Sequence, residues 1–355
     1  MSKQGIVRAA EYSRRADALQ PTARAAVPTN VLEALRAARR LWVVPHERPD
    51  ADALGAALGL KAILGQLGAE VVVISADAPP AVYDVIPTIA EVSLEAPNWE
   101  PDAIVLVDCA DPKRAGRVGD LINALPASTP RILIDHHVSN DSTWPLAWVD
   151  ADAAATCELV SLIALALGAN LADDEGNLAA TLAAGIVMDT ATFQHGNTTA
   201  RTMEIGGLLL AAGAPISEIS RKIYRSKPLA QVQLHARVLA TLNTADSSRT
   251  VFATMMLADL TETGANAEMS EGIVDSLAHV SEADVAIFFK EDGPASSRIS
   301  VRTKGEGPDA TEIVGAFGGG GHARAAGATI DRPVSEAVTL VLARVKELRA
   351  NAVAG

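Results

Sequence analysis

Four short runs, LWVV at 41–44, VVVI at 71–74, AIVLV at 103–107 and ILI at 132–134, are apolar throughout. Alternation of polar and apolar residues would mark strands with one wet face. Continuous apolar runs mark strands covered on both faces, as in a parallel sheet packed between helices. Helical stretches separate several of them, including a short amphipathic segment from Val31 and an Ala/Leu-rich segment from about Ala53 to Leu67. The fold expected is α/β with an N-terminal parallel sheet. Three of the runs end in ionisable residues: His46 follows LWVVP, Asp108 follows AIVLV, and Asp135-His136-His137 follow RILI. Open α/β sheets bind ligands beyond the carboxyl ends of their strands, so one rim receives all of these groups.

With 355 residues the chain is long enough for two domains. Residues 1–28 read as a polar N-terminal leader and 29–210 as the parallel-sheet domain. Residues 211–246, largely helical in texture, read as a helical linker. Residues 247–355 read as a smaller α/β domain with strands in RTVFATMML, ADVAIFFKE and RISVRTK and helices near 270–279 and 333–350.

A formal charge of -13, from 43 acids against 30 bases, with no Lys/Arg-rich tract, argues against long duplex DNA as a partner. A short anionic substrate neutralised locally by metal ions is compatible with that acidity. The two cysteines, Cys109 and Cys157, point to a reducing compartment rather than a disulfide scaffold. No apolar run approaches the roughly 18–20 residues needed to span a bilayer. The N-terminus also lacks the apolar stretch of a signal peptide. The expectation is a cytoplasmic protein without a membrane partner.

The segment HERPDADALG places His46, Asp50 and Asp52 within seven residues after a strand. Pro49 is expected to hold Arg48 extended, and Gly55 to allow close helix packing. Asp50 and Asp52 could each face a different cation, Asp108 could bridge the two, and His136 and Asp189 would complete the set. Oxygen ligands with a minority of imidazoles and no thiolates suit Mn²⁺ or Mg²⁺ better than structural zinc. A single Asp after a strand is usually a helix cap or a turn former. The joint occurrence of HERPDAD, VLVDCAD, LIDHHVSN and GIVMDTATF is what carries the metal reading, because clustered carboxylates repel one another unless cations join them.

Those four segments, in that order, resemble the motifs of the DHH phosphoesterase superfamily. FGGGGHARAAGA resembles the hallmark of its DHH-associated C-terminal domain. In size the chain is similar to the bacterial nanoRNase / 3′-phosphoadenosine-5′-phosphate phosphatase branch rather than to RecJ-type exonucleases. The resemblance implies two divalent cations, most simply Mn²⁺ with Mg²⁺ as the alternative. One would be held by His46, Asp50 and Asp108, the other by Asp52, Asp108, His136 and Asp189. His137 would face the substrate and Asp135 would orient its neighbours. Arg114, Arg302, the backbone of Gly318, Gly319, Gly320 and Gly321, and His322 would bind substrate. Two cations of this kind activate water and clamp phosphoryl oxygens. Short RNA would yield nucleoside 5′-monophosphates, and 3′-phosphoadenosine 5′-phosphate would yield AMP. Relatives commonly form dimers, so a homodimer is compatible.

The chain departs from the family's fourth motif, which commonly reads Asp-Thr-Gly followed by Phe-Arg; here Asp189-Thr190 leads into Ala191, Thr192, Phe193 and Gln194. Ala191 fits only where the backbone avoids positive φ. Gln194 removes a positive charge, and His195 beside it reads as an exposed loop residue. Alternative activities for the same site are a linear or cyclic dinucleotide signalling phosphodiesterase, a pyrophosphatase, or a nucleotide-binding regulator without catalysis.

Overall fold

The computed structural model describes residues 3–140, 142, 144–172 and 176–354; Met1 and Ser2 of the expected leader, Asp141, Thr143, residues 173–175 and Gly355 lie outside them. The chain divides into two compact units, Met1–Ser226 and Lys227–Gly355. No helix among the described residues is long and apolar enough to cross a membrane.

The first unit is built on six strands, β1 (Arg40–Val44), β2 (Glu70–Ile74), β3 (Val92–Ser93), β4 (Ala103–Val107), β5 (Arg131–Asp135) and β6 (Leu146–Val149). Their order is β3-β2-β1-β4-β5-β6, and every pairing is parallel. Among the described residues eight α-helices accompany them: α1 (Lys3–Ala26), α2 (Thr29–Ala37), α3 (Ala51–Gln66), α4 (Arg117–Ala124), α5 (Thr156–Leu167), α6 (Asn177–Asp189), α7 (Ala200–Ala212) and α8 (Ile216–Arg225).

Why the central residues of β1 and β4 are apolar without alternation is visible in the packing. Leu41 and Val43 of β1, with Val105 and Val107 of β4, join one core with α3, α5 and α6. Their neighbours Trp42, Val44, Ile104 and Leu106 join a second core with Val118 and Ile122 of α4. Successive side chains of a strand point to opposite faces, so two covered faces demand two apolar sets. The strand order turns back between β1 and β4, the point at which such sheets open a crevice. His46 and Asp108 follow these two strands.

The expected leader is not a separate segment. It forms α1, whose Leu19 and Ala23 are buried together with the following Val27 in the core shared with α3, α5 and α6. Strands β3 and β6 escaped sequence reading, being short and only partly buried. The stretch 211–246 is divided between the units, with α8 in the first and α9 (Leu229–Leu239) in the second.

The second unit carries β7 (Asn243–Ala245), β8 (Thr250–Met255), β9 (Val285–Gly293), β10 (Ser296–Thr303), β11 (Gly320–His322) and β12 (Ala325–Ile330). They form a sheet in the order β11-β12-β10-β9-β8-β7, antiparallel except between β8 and β9. With α9 come α10 (Leu257–Thr263), α11 (Ile273–Ala278), α12 (Ala310–Gly315) and α13 (Val334–Ala354). β9 again serves two cores: Val285, Ile287 and Phe289 pack with α12 and α13, while Ala286 and Phe288 pack with α9 and α11.

Candidate active site

The carboxyl end of β1 leads through HERPDAD into α3. Asp50 caps that helix, its Oδ1 accepting from the Asp52 and Ala53 amides at 3.0 Å each. Arg48 is not extended as expected from Pro49. Its φ is +50°, and its amide donates to Asp77 Oδ2 at 2.8 Å, a bond that offsets the unfavourable backbone. Asp108, one residue beyond β4, also has a positive φ of 54°, a conformation aspartate tolerates better than most residues.

His46, Asp50 and Asp108 bring ligand atoms within 4.8 Å of one another, as do Asp52, His136 and Asp189, and also Asp108, His136 and His137. Asp108 touches both sides: its Oδ2 lies 3.6 Å from His46 Nε2, and its Oδ1 lies 3.6 Å from His136 Nε2. Each of these two imidazoles has its Nδ1 on a backbone carbonyl, His46 on Glu47 at 2.7 Å and His136 on Ala153 at 3.3 Å. That pairing makes Nδ1 a proton-bearing nitrogen and points Nε2 at the carboxylates, where a cation that displaces the Nε2 proton would find a ligand, the usual support for a metal-binding histidine. His136 Nε2 is 3.2 Å from Asp189 Oδ2 and 3.9 Å from Asp52 Oδ2.

Among the described residues no Lys or Arg forms an ion pair with Asp50, Asp52, Asp108 or Asp189. Burial, then the charges of Asp189 and Asp108, hold the Asp52 carboxyl well above its usual range. Burial likewise raises Asp189, and Asp108 adds to it. Asp108 behaves oppositely. Burial opposes its ionisation, but the His46 hydrogen bond and the neighbouring imidazoles outweigh that and hold it low. Such a set of carboxylates and imidazoles, buried and short of positive charge, fits two divalent cations of the Mn²⁺/Mg²⁺ kind.

Burial also opposes charge on His136, but its hydrogen bond to Asp189 and the charges of Asp52 and Asp108 push it up to about 10. In the metal-free chain, folded His136 therefore holds its proton more tightly than in the unfolded chain. Its contribution to stability is complete below about pH 6.5 and disappears as pH climbs toward about 10. The unfolding midpoint of the metal-free protein should fall between pH 7 and 10 by more than that of His136→Gln. Parallel falls in the two proteins would remove His136 as the source.

Asp135 is fully buried and holds its neighbours. Its Oδ1 accepts from the His136 and His137 amides at 2.8 and 3.2 Å and from His137 Nδ1 at 2.8 Å, and its Oδ2 accepts from Asn140 Nδ2 at 2.6 Å. The His137 side chain is 38% exposed, the most open of the imidazoles here. Arg114 lies on an exposed 3-10 turn, its carbonyl accepting from the Glu47 amide. In the second unit Arg302 is paired with Asp275 on α11 at 2.9 Å. The glycine run is not a free loop: Gly320–His322 form β11 against β12, and a Cβ on Gly321 would lie 2.5 Å from Ala325 O. Gly318, Gly320, Gly321 and His322 are exposed and Gly319 is partly so.

Three supports had no sequence signal strong enough to single out. Thr156 Oγ1 donates to Asp108 Oδ1 at 3.0 Å. Asn197 Nδ2 donates to the Asp189 carbonyl at 3.2 Å, and the Tyr224 hydroxyl donates to the Met188 carbonyl at 2.5 Å. His195 is exposed, as expected, with Nδ1 3.1 Å from the Asp189 carbonyl.

The condition set for Ala191 is not met: its φ is +46°, followed by +61° at Thr192 and +63° at Phe193. A left-handed non-glycine residue costs roughly 1–2 kcal/mol, partly offset by the greater freedom glycine gives the unfolded chain. Ala191→Gly should therefore raise stability by about 0.5–1 kcal/mol, read from the denaturant midpoint. A lower midpoint would contradict the strain.

Paired carboxylate–imidazole sites at the rim of a parallel sheet define a two-metal phosphoesterase. Residues 40–186 match the DHH family, N-terminal domain, and residues 249–351 match the DHHA1 domain. A bifunctional oligoribonuclease and PAP phosphatase NrnA from Thermus thermophilus is 30% identical over 322 residues, covering 89% of this chain and 93% of the relative. The chain therefore belongs to the DHH family. The Bacillus subtilis protein of the same description is 28% identical over 286 residues, 80% of this chain and 87% of its own. In fold, the chain is similar to an exopolyphosphatase-related protein from Bacteroides fragilis, with a TM-score of 0.80 and 23% identity over 90% of this chain and 97% of that one.

Proposed function

We propose that this phosphoesterase shortens small oligoribonucleotides from an end to nucleoside 5′-monophosphates and converts 3′-phosphoadenosine 5′-phosphate to AMP and orthophosphate. The observation that carries the reading is the convergence of His46, Asp50 and Asp108 with Asp52, His136 and Asp189. The substrate class is supported by two relatives described as bifunctional oligoribonuclease and PAP phosphatase, each matched over most of its length.

In this reading His46, Asp50 and Asp108 hold one cation, and Asp52, Asp108, His136 and Asp189 hold the other, with Asp108 shared. When bound, the cations supply Lewis acidity toward phosphoryl oxygens and a nucleophile at neutral pH. The chain's own groups orient the substrate and handle the proton. His137, with Nδ1 donating to Asp135, offers Nε2 to a phosphate oxygen or to the leaving oxygen, placing a proton there as the ester bond breaks. Asp135 is already engaged by two amides and Asn140, so it fixes the ring and does not act as a base. Arg114 answers substrate charge from the first unit. Arg302, His322 and the side-chain-free surface of Gly318–Gly321 give the second unit its nucleotide recognition, the Gly318 and Gly319 amides being already engaged by the Gly315 and Val314 carbonyls. A reducing, cytoplasmic setting suits the free, buried thiols of Cys109 and Cys157.

The test is Mn²⁺-dependent hydrolysis of dinucleotide RNA, 3′-phosphoadenosine 5′-phosphate, a cyclic dinucleotide and pyrophosphate. Release of 5′-monophosphates and AMP is expected. Turnover of pyrophosphate alone would overturn the nucleotide reading, and metal binding without any turnover would favour a regulator.

A further inference from the structure

Helix α5 begins without a side-chain cap of its own, Ala155 standing at the N-cap position. Its first amides are instead satisfied by a carboxylate 104 residues away in sequence: Thr156 N donates to Asp52 Oδ2 at 2.6 Å and Cys157 N to Asp52 Oδ1 at 2.9 Å. An anion belongs at this end of a helix, where unpaired N–H groups concentrate positive charge. Both Asp52 oxygens are thereby fixed in direction. The same first residue reaches Asp108: the Thr156 hydroxyl, fully buried, donates to Oδ1 at 3.0 Å.

Asp108 has two oxygens and three imidazole-bearing neighbours, His46 on the Oδ2 side and His136 and His137 on the Oδ1 side, and rotation about its Cβ–Cγ bond would exchange or misdirect them. With Oδ1 held by Thr156, that oxygen stays beside His136 and Oδ2 beside His46. The segment ahead of Thr156 is itself anchored. Buried Glu158 accepts from the Ala154 amide at 3.2 Å, from Thr202 Oγ1 at 2.8 Å and from Arg201 Nε at 2.5 Å, while the Ala153 carbonyl faces His136 Nδ1. The hydroxyl therefore stands on a rigid base, which positioning requires.

We infer that Thr156 is a positioning residue that apportions the Asp108 carboxylate between the two cations. The inference rests on the two-cation reading of the site. It predicts a defect in loading the second ion, separable from any loss of fold. Mn²⁺ binding is to be followed by calorimetry and by electron paramagnetic resonance in wild type, Thr156→Ser, Thr156→Val and Thr156→Ala. Wild type should bind two ions with the exchange-coupled spectrum of a shared ligand. Thr156→Val should keep the first affinity within about threefold while the second falls at least about tenfold, the range set by ligand-supporting partners, with coupling lost. Thr156→Ser should restore both within about threefold.

If Thr156→Val does not fold, the comparison of Ser with Ala decides, since these differ chiefly in the hydroxyl. Second-site affinity equal with and without the hydroxyl overturns the inference while leaving the two-cation site intact. Fewer than two ions on wild type overturns both.

Discussion

Asp108→Ala should leave less than about a thousandth of wild-type turnover of 3′-phosphoadenosine 5′-phosphate at saturating Mn²⁺, a barrier increase of about 4 kcal/mol. The reason is position. Among the described residues Asp108 is the carboxylate that lies within 3.6 Å of both His46 and His136, and three surrounding imidazoles keep it ionised against the opposing effect of burial. On the proposed ligand assignment, removing it takes a ligand from both cations at once, and it leaves the Thr156 hydroxyl without its acceptor. Retention of more than about a tenth of the rate would contradict a shared role, given how much of the barrier the metals must supply.

Gly185→Ala should damage the protein in two ways. A Cβ at this position on α6 would collide with Asp52 Oδ1 and Cys157 Sγ, because α3, α5 and α6 cross without room for one more carbon. Gly55, on the facing α3, is similarly tight, its added Cβ lying 2.7 Å from the Thr181 carbonyl. Overpacking of this kind costs about 1–3 kcal/mol, and displacement of the Asp52 oxygens should weaken Mn²⁺ binding at least about tenfold. Gly65→Ala, near the end of α3 with nothing within 4 Å of the added carbon, should be neutral or slightly stabilising. If Gly185→Ala loses no more stability and no more metal affinity than Gly65→Ala, the tight crossing has no functional weight.

The clustering of the six candidate ligands was legible because they come after, or at the end of, strongly apolar segments, and topology delivers strand ends to one rim. Asp189 was the hardest of them, since it closes a helix and follows no strand. The supporting contacts were hidden for physical reasons. Ala153 acts through a backbone carbonyl, which every residue type possesses. Thr156 looks like an ordinary residue at a helix start until Asp52 and Asp108 are folded against it. The positive φ angles at Arg48 and Ala191 run against local preference and are imposed by surroundings. Arg302 illustrates the same point, because its partner Asp275 lies on another element and carries no sequence sign of the pairing. The polar surface of α1 concealed the few side chains that seat it in the core.

The double allegiance of β1 and β4 confines where this molecule can evolve new chemistry. Any ionisable replacement at Leu41–Val44 of β1 or Ala103–Val107 of β4 would sit against hydrocarbon on one side of the sheet or the other, and an unsatisfied buried polar group costs roughly 1–3 kcal/mol. Tolerance begins just past the last strand residue, where side chains are released from both layers. Innovation in such a scaffold is thus steered toward the positions held by His46 and Asp108, one step or two beyond the apolar ribbon.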